Sequence, residues 1–316
     1  MKKQQAMKKI KTLLLIAALG INFSQAQQMY QLSQYMFNDY VFNPAIGGIH
    51  DYYQVRTNYR YQWAGIKDAP RTYLLSAYGP HKSMPMGYGG FIFSDVTGPT
   101  NQLGIYGSYA YNVLVYRDIR ISGGAFLGLK QFKIDMSSLR FDVEEPAVSL
   151  NPDYYVRYLP DASLGVYAYN SQFYFGISMN QLFGNKLEVL EEYSGKVMSK
   201  LNNHIFINGG YRYNINRDID IEGATMFKIV RAAPLQMDLN VKGIWRKMAW
   251  AGVSWRTGDA IAIIGGYNYQ DMLYIGYSYD IMISKLRNFG SGSHEVMIGV
   301  KFNRIKDTGG IRRKIR

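Results

Sequence analysis

The chain has 316 residues, of which 47% are hydrophobic and none is cysteine. The hydrophobic fraction excludes a disordered chain, and the lack of cysteine excludes a small secreted scaffold held together by disulfides. Its 36 Lys and Arg residues against 23 Asp and Glu residues give a formal charge of +13. Such a charge indicates nucleic acid or an anionic membrane as a partner only if it extends through the folded part of the chain.

Residues 1–26 have the composition of a secretory signal peptide. Five lysines precede or flank the start of an apolar run from Leu13 to Leu19, and Ser24-Gln25-Ala26 supplies a small-x-small cleavage site. The run is shorter than the ~20 apolar residues that a membrane-spanning helix needs. We therefore expect cleavage after Ala26 and a mature protein that leaves the cytoplasm.

Most of the net charge lies at the two ends of the chain. Without the five lysines of the signal the charge falls to +8, and the tail 304–316 holds +5 of the remainder. Residues 27–303 thus keep only +3, so no basic stripe runs through the folded part and no nucleic-acid partner is expected. The tail either contacts a partner or anionic headgroups, or is a disordered end. Its terminal cations are Arg312, Arg313, Lys314 and Arg316.

Residues 27–54 are amphipathic but lack the alternation of a strand. They include Ser33-Gln34-Tyr35-Met36-Phe37-Asn38 and Phe42-Asn43-Pro44-Ala45. Proline and the absence of period-two alternation argue against a strand here. We expect a non-strand segment that packs against the strands that follow.

Between residues 55 and 303, hydrophobic and polar residues alternate with period two. Residues 119–129, 235–245 and 271–281 are clear examples, and this period is that of a two-faced β-strand. Short polar turns such as Arg246-Lys247 separate the runs and indicate consecutive antiparallel hairpins. Longer connections are expected at 135–161 and 184–200. The fourteen predicted strands begin near Val55, Arg71, Met86, Gln102, Asp118, Ala162, Ser171, Leu201, Asp218, Leu235, Met248, Asp259, Asp271 and His294.

These features predict an all-β fold, an antiparallel transmembrane β-barrel of about 14 strands over residues 55–303. Such a barrel needs an even strand number, short turns at one end, longer loops at the other and aromatic girdles. Tyr, whose ring sits among acyl chains while its hydroxyl stays hydrated, occurs 28 times, often near strand ends. With the signal peptide, the barrel indicates the cell outer membrane, and residues 27–54 then lie in or under the barrel. A soluble β-sandwich is the alternative.

The inward row of the predicted strands is polar and mixed in charge. A lumen of fourteen strands is wide enough for a peptide or a plug, and mixed polarity suits hydrogen bonds to a polypeptide better than selection of one ion. The row is Arg120, Gln172, Asn180, Asp220, Glu222, Asp238, Asn240, Lys242 and Asp280.

The sequence offers little for catalysis or metal binding. The four histidines, His50, His81, His204 and His294, form no HxH or HxxxH pair, so no zinc site is expected. In Ser293-His294-Glu295, neighbours on a strand point to opposite faces and cannot assemble a triad. We expect a protein that is not an enzyme and that uses no cofactor.

Several short motifs occur in an order that resembles one family. They are Ser33-Gln34-Tyr35-Met36, Asn43-Pro44-Ala45, Tyr59-Arg60 with Gln62-Trp63, Asp95 with Gly98-Pro99, Gly210-Tyr211-Arg212-Tyr213, Gln236-Met237-Asp238-Leu239-Asn240, Tyr277-Ser278-Tyr279-Asp280 and Ser293-His294-Glu295. Taken individually, they have structural explanations: Tyr59 to Trp63 suits an aromatic girdle, and Gly98-Pro99 suits a tight turn. In this order over nearly the whole mature chain, they resemble the PorP/SprF family, outer-membrane proteins associated with the type IX secretion system of Bacteroidetes.

The resemblance implies a non-enzymatic barrel that works with other type IX secretion components. Its partners would be membrane lipids and a secreted cargo protein, such as an adhesin or gliding-motility protein, recognised through the cargo's C-terminal targeting domain. A diffusion porin or solute channel is the alternative, and an outer-membrane enzyme is a third hypothesis. The candidate partner-binding residues that follow from the motifs are Tyr35, Asn43, Pro44, Arg60, Trp63, Asp95, Gly98, Pro99, Asp238, Asn240, Asp280, His294 and Glu295.

Overall fold

The structure is a computed structural model that describes residues 29–137, 154–188, 198–231 and 233–303. The predicted signal peptide, residues 1–26, lies outside the described residues. The basic tail 304–316, with Arg312, Arg313, Lys314 and Arg316, lies outside them as well.

The wall of the molecule is a closed barrel of fourteen antiparallel strands, which confirms the predicted fold class. Each strand pairs with its neighbour along the chain, and β1 closes the ring by pairing with β16. The barrel strands are β1 (Tyr53–Tyr61), β2 (Arg71–Pro80), β3 (Met86–Thr97), β4 (Thr100–Tyr116), β5 (Ile119–Asp135), β6 (Tyr154–Tyr169), β7 (Phe173–Asn180), β10 (His204–Asn214), β11 (Ile219–Val230), β12 (Gln236–Trp245), β13 (Ala249–Arg256), β14 (Ala260–Tyr269), β15 (Leu273–Met282) and β16 (Ser293–Phe302).

The structure differs from the prediction at three places. β6 begins at Tyr154, eight residues before the predicted start at Ala162, because residues 154–161 pair with β5 from Tyr154↔Asp135 to Asp161↔Gly128. Aromatic residues occur on both faces of this part, so its alternation is weak. The predicted loop 184–200 contains a small hairpin, β8 (Lys186–Glu188) and β9 (Met198–Lys200). The wall also begins at Tyr53, two residues earlier than expected.

The outer face of the barrel is hydrophobic. Large apolar side chains alternate with buried ones along each strand, and Leu127, Val241 and Ile263 are each more than half exposed. This face also carries exposed aromatic side chains, such as Tyr73, Tyr109, Tyr213 and Trp245. A soluble protein rarely exposes so large an apolar surface, whereas a membrane barrel presents it to lipid. The closed ring and its apolar exterior argue against the β-sandwich.

The antiparallel order places the connections at two ends. One end, which we call the short-turn end, carries connections 81–85, 117–118, 170–172, 215–218, 246–248 and 270–272. The other, the long-loop end, carries 62–70, 98–99, 136–153, 181–203, 231–235, 257–259 and 283–292. This asymmetry is the one expected for a membrane barrel.

Residues 29–49, which we call the inner segment, lie inside the barrel. Three single-turn 3-10 helices make up most of this segment: Tyr35–Phe37, Asp39–Val41 and Pro44–Gly48. Tyr40 donates or accepts a hydrogen bond at Ser108 of β4, whereas Phe37 packs on Trp250 of β13, across the barrel. Contact with inward side chains on opposite walls places the segment within the lumen. No helix among the described residues is long and apolar enough to span a membrane.

The inner segment runs from one end of the barrel to the other. The Met29 N–H donates to Nε2 of His204, the first residue of β10 at the long-loop end. At its other extremity Gly48 packs directly against Gly87, near the start of β3 at the short-turn end. Any side chain at Gly48 or Gly87 would overlap the opposite backbone. The chain thus crosses the lumen before it enters β1.

Candidate functional site

Five residues hold the start of the inner segment to the wall, and we call them the latch: Ser33, Gln34, Arg60, Asp280 and Glu295. The Ser33 N–H donates to Glu295 Oε2 at 2.7 Å, and Ser33 Oγ donates to Asp280 Oδ2 at 2.6 Å. Arg60 donates from Nη2 to Asp280 at 2.7 Å and from Nη1 to Ser33 Oγ at 2.8 Å. Gln34 donates from its backbone N–H to Glu295 Oε1 at 3.3 Å. All five side chains are buried.

A second set of charges adjoins the latch. Arg256 Nη2 donates to the Leu32 carbonyl at 3.4 Å, and its Nη1 lies 3.7 Å from Asp280 Oδ2. Arg256 Nε also pairs with Asp238 at 3.1 Å, and Asp238 accepts from Lys228 at 2.8 Å. Buried charges are tolerated only when they are paired. Each of the three cations Arg60, Lys228 and Arg256 has a carboxylate partner among Asp238, Asp280 and Glu295, and Arg256 also lies 3.2 Å from Asp259.

The middle of the inner segment lies on a third group of charges. Lys242 Nζ lies 4.2 Å from the centre of the Phe37 ring and 2.8 Å from Glu222 Oε1. Glu222 also accepts from Arg212 at 2.7 Å. Phe37 therefore combines a cation–π contact with its packing on Trp250.

Asn43-Pro44-Ala45 starts the last 3-10 helix and fastens it to the wall. Asn43 Oδ1 accepts from the Ala45 N–H at 3.0 Å, and Pro44 occupies the first helical position, where no N–H is needed. Asn43 Nδ2 donates to the Val166 carbonyl at 3.1 Å. Ser122 Oγ donates to the Ala45 carbonyl at 2.5 Å. This motif is thus a helix cap and a wall contact at once.

Glycines in the wall make room for this motif. A Cβ at Gly165 of β6 would overlap Asn43 Oδ1, and one at Gly124 of β5 would lie 2.7 Å from the Ala45 nitrogen. Glycine within a strand often lies where another backbone approaches closely, and Gly124 is such a position.

Two further candidate residues, Tyr35 and Asn240, face the lumen, where their side chains lie close together. Tyr35 is buried in the aromatic core that the inner segment shares with the wall. Asn240 is buried on the inward face of β12, two residues after Asp238.

The remaining candidates lie near the long-loop end but apart from the latch. Trp63 is half-buried in the 62–70 loop, and its backbone N–H donates to Ser293 Oγ at 3.0 Å. Asp95 accepts from Thr72 Oγ1 at 2.6 Å. Gly98-Pro99 forms the predicted tight turn, with Gly98 at a φ of +53°. His294 points to the outer face, where Nδ1 lies 2.7 Å from Tyr277 Oη, while Ser293 and Glu295 face the lumen.

The predicted inward row needs two corrections. Gln172 is exposed in the β6–β7 turn, and Arg120, near the end of its strand, is only half-buried. The other seven members are buried in the lumen. The expected space for a peptide is largely filled by the inner segment. One cavity beside the segment has about 390 Å³ of empty space, which includes open solvent. It is lined by residues that include Tyr30, Phe93, Asp95, Lys130 and Asp161.

The sequence interpretation missed Arg256 and Lys228. Arg256 ends β13 in the inward register of Ser254, so alternation within that strand could have revealed it. Among the residues that the structure describes, no group of three or more His, Cys, Asp or Glu side chains could hold a metal ion.

Several solved structures of membrane barrels are similar to the chain at low identity. A Pseudomonas aeruginosa FadL homologue aligns at 10% identity and a TM-score of 0.44, over 79% of this chain and 89% of that one. The monoaromatic hydrocarbon channel CymD aligns at 8% identity and a TM-score of 0.49, over 86% of this chain and 92% of that one. The KdgM porin aligns at 10% identity and a TM-score of 0.39, over 79% of this chain and 99% of that one. No curated protein sequence matches the chain.

One family profile matches most of the chain. It describes the type IX secretion system membrane protein PorP/SprF and covers residues 24–300. The matched range contains the whole inner segment, the latch and all but the last residues of β16. The chain therefore belongs to the PorP/SprF family of type IX secretion system membrane proteins.

Proposed function

We propose that this chain is a non-enzymatic outer-membrane barrel that partners an exported cargo protein of the type IX secretion system. The cargo is a secreted or surface-anchored protein, such as an adhesin or a gliding-motility protein, bound through its C-terminal targeting domain. Family membership supports the link to secretion. The short turns then lie in the periplasm and the long loops outside the cell, as in other outer-membrane barrels.

The observation that carries the proposal is the filled lumen. The inner segment occupies the barrel from the long-loop end to the short-turn end and is fixed to the wall by hydrogen bonds, most of them buried. A barrel closed by its own chain is suited to present a rigid rim to a protein partner. It is poorly suited to diffusion of solutes.

The proposal is tested by deleting the gene and measuring the surface proteome. Loss of one surface protein with a C-terminal targeting domain would identify a dedicated cargo, whereas loss of all such proteins would indicate support of the core machinery. Complementation with the tagged barrel should restore the cargo and co-purify it. Unchanged surface levels of every such protein would contradict the proposal.

A diffusion porin is the competing function, and planar bilayers separate the two. The purified full chain should give no steady conductance, because the inner segment fills the lumen. A stable, reproducible channel conductance would favour the porin instead.

We also propose that export does not depend on a histidine-based catalytic site. A variant with all four histidines replaced by glutamine should still support surface display of the cargo. If that variant assembles normally and display is lost, an enzymatic role has to be reconsidered.

A further inference from the structure

Strand β6 extends well beyond the strand on one of its sides. It pairs with β5 from Tyr154↔Asp135 to Tyr169↔Arg120, but with β7 only from Leu164 to Tyr169. Within the described ranges, residues 154–163 therefore have no strand on the β7 side. This unpaired edge lies at the long-loop end.

The backbone groups that point toward the β7 side of this edge can be assigned from the hydrogen bonds of the described residues beside them. The Ala162 carbonyl accepts from the Leu182 N–H at 3.0 Å, and the Pro160 carbonyl accepts from Asn185 Nδ2 at 2.7 Å. Alternate residues of a strand direct their N–H and C=O groups to the same side. The N–H and C=O groups of Val156 and Tyr158 therefore point away from β5, toward the unpaired side.

The hydrogen bonding of β5 leads to the same assignment. The Asp135 N–H donates to the Pro99 carbonyl, at the start of β4. Residues of β5 in the alternate register, such as Phe132 and Ile134, therefore face β6. Their partners are Arg157 and Tyr155, so the β5–β6 ladder does not use Val156 or Tyr158.

The unpaired part of β6 protrudes from the membrane. A tilted strand crosses the bilayer with ~9–11 residues, whereas β6 has 16. Open sheet edges do not occur in contact with the hydrocarbon region. Proteins also commonly shield edge strands in water, because an exposed edge pairs with other chains. An edge left open on a protruding strand is accordingly suited to a partner strand.

The side chains along the edge define the chemistry of that partner. Tyr154, Val156 and Tyr158 form an exposed apolar row on the outer face. Lys133 lies beside it, with Nζ 3.7 Å from the Tyr154 ring, and Arg157 is exposed on the opposite face. An extended segment with apolar residues on one face and a carboxylate near Lys133 complements this surface.

We infer that the free edge of β6 at Val156 and Tyr158 binds an extended strand of the exported cargo's C-terminal targeting domain. The inference rests on the proposed function. Main-chain hydrogen bonds to Val156 and Tyr158 supply affinity, and the row of Tyr154, Val156 and Tyr158 supplies selectivity.

The first test is a proline at the edge. Val156→Pro removes an N–H that the β5 ladder does not use, so the barrel should still assemble. We expect it to lower cargo retention at the surface about tenfold, which is the effect of losing roughly one hydrogen bond that would otherwise be made. Val156→Thr keeps the N–H and is the matched control for the change of side chain, so we expect it to retain several times more cargo than Val156→Pro. Retention by Val156→Pro equal to that of the control would overturn the inference.

The second test does not depend on tolerance of proline. Because the chain has no cysteine, Tyr158→Cys introduces a single thiol for a short bifunctional crosslinker in intact cells. A covalent adduct containing the cargo supports the inference, with Ile177→Cys, on the lipid-facing surface, as the control. An adduct of two barrel chains, or no adduct in cells that retain the cargo, would overturn it.

The two proposals can fail separately. If gene deletion removes the cargo from the surface but both edge variants behave as the wild type, the proposed function stands and the edge is not its docking site. If deletion leaves the cargo in place, the proposed function fails and the edge inference fails with it.

Discussion

Arg60 of the first strand and Glu295 of the last strand are direct partners across the line where the barrel closes. They occupy opposed positions in the β1–β16 ladder, and Arg60 Nη1 lies 3.3 Å from Glu295 Oε2. Both also bind Ser33 of the inner segment. The same buried charges therefore join the two ends of the wall and hold the segment that fills it.

Replacement of Arg60 should strongly destabilise the barrel. Arg60→Leu leaves Asp280 without its 2.7 Å partner and Glu295 without the one cation within 4 Å of it in the described part of the chain. Removing one partner of a buried ion pair typically costs about 3–5 kcal/mol. The free energy of unfolding in lipid vesicles, measured by urea titration of the folded band on gels, should fall by this amount.

The control for this prediction is an exposed pair. Arg246 and Asp218 lie 3.1 Å apart, and both are more than half exposed. Arg246→Gln should change the free energy of unfolding by at most about 1 kcal/mol. Equal effects of the two substitutions would show that the latch does not carry the stability assigned to it.

A methyl group at Gly165 should displace the Asn43 cap. Its Cβ would overlap Asn43 Oδ1, so Gly165→Ala should destabilise the folded barrel by roughly 1–3 kcal/mol. It should also make the inner segment more accessible to a protease added from the long-loop end. Gly123→Ala is the matched control, because nothing lies within 4 Å of the added Cβ. Identical protease patterns for both variants would argue against the close contact.

Tryptophan fluorescence should separate the two faces of the wall. Trp250 is buried in the lumen against Phe37, whereas Trp245 is half-exposed on the outer face. With the other three tryptophans changed to phenylalanine, a chain that retains Trp245 should be quenched by brominated lipids. A chain that retains only Trp250 should resist both brominated lipids and aqueous acrylamide. Strong lipid quenching of Trp250 would contradict its inward position.

Deletion of residues 29–49 should open the barrel. The charges of the latch and of Glu222 and Lys242 would then face a water-filled lumen, where hydration replaces their contacts with the segment. We expect steady single-channel conductance in planar bilayers from this variant, in contrast to the full chain. If a deletion variant that assembles as a barrel still conducts no ions, another part of the chain would have to close the lumen.

Much of the wall could be predicted from the sequence because its signal is local. Alternation with period two and short polar turns depend on neighbouring residues, and they led to the fourteen strands of the closed barrel. The start of β6 was missed because Tyr154 and Tyr155 place aromatic side chains on both faces. The extent of β6 at this point depends on its pairing with β5, and the sequence of β6 alone does not reveal that pairing.

The candidate site was less predictable because its contacts join distant parts of the chain. Asp280 and Glu295 were selected through family motifs, and Ser33 lies in one of those motifs without having been selected. Their meeting point depends on the register of β15 and β16. Arg256 was not selected, since no family motif or inspected alternation included it. Its role emerges only from the approach of β13 to the Leu32 carbonyl.

The path of the inner segment also sets an order for assembly. It precedes β1 in the chain and spans the lumen from Met29 to Gly48, so the wall has to curl around it rather than receive it after closure. Glu295 is in the final strand, and its hydrogen bonds to Ser33 and Gln34 form only when that strand arrives. We expect this segment, which precedes the wall in the chain, to act as an internal template, and docking of the last strand onto it to complete the ring.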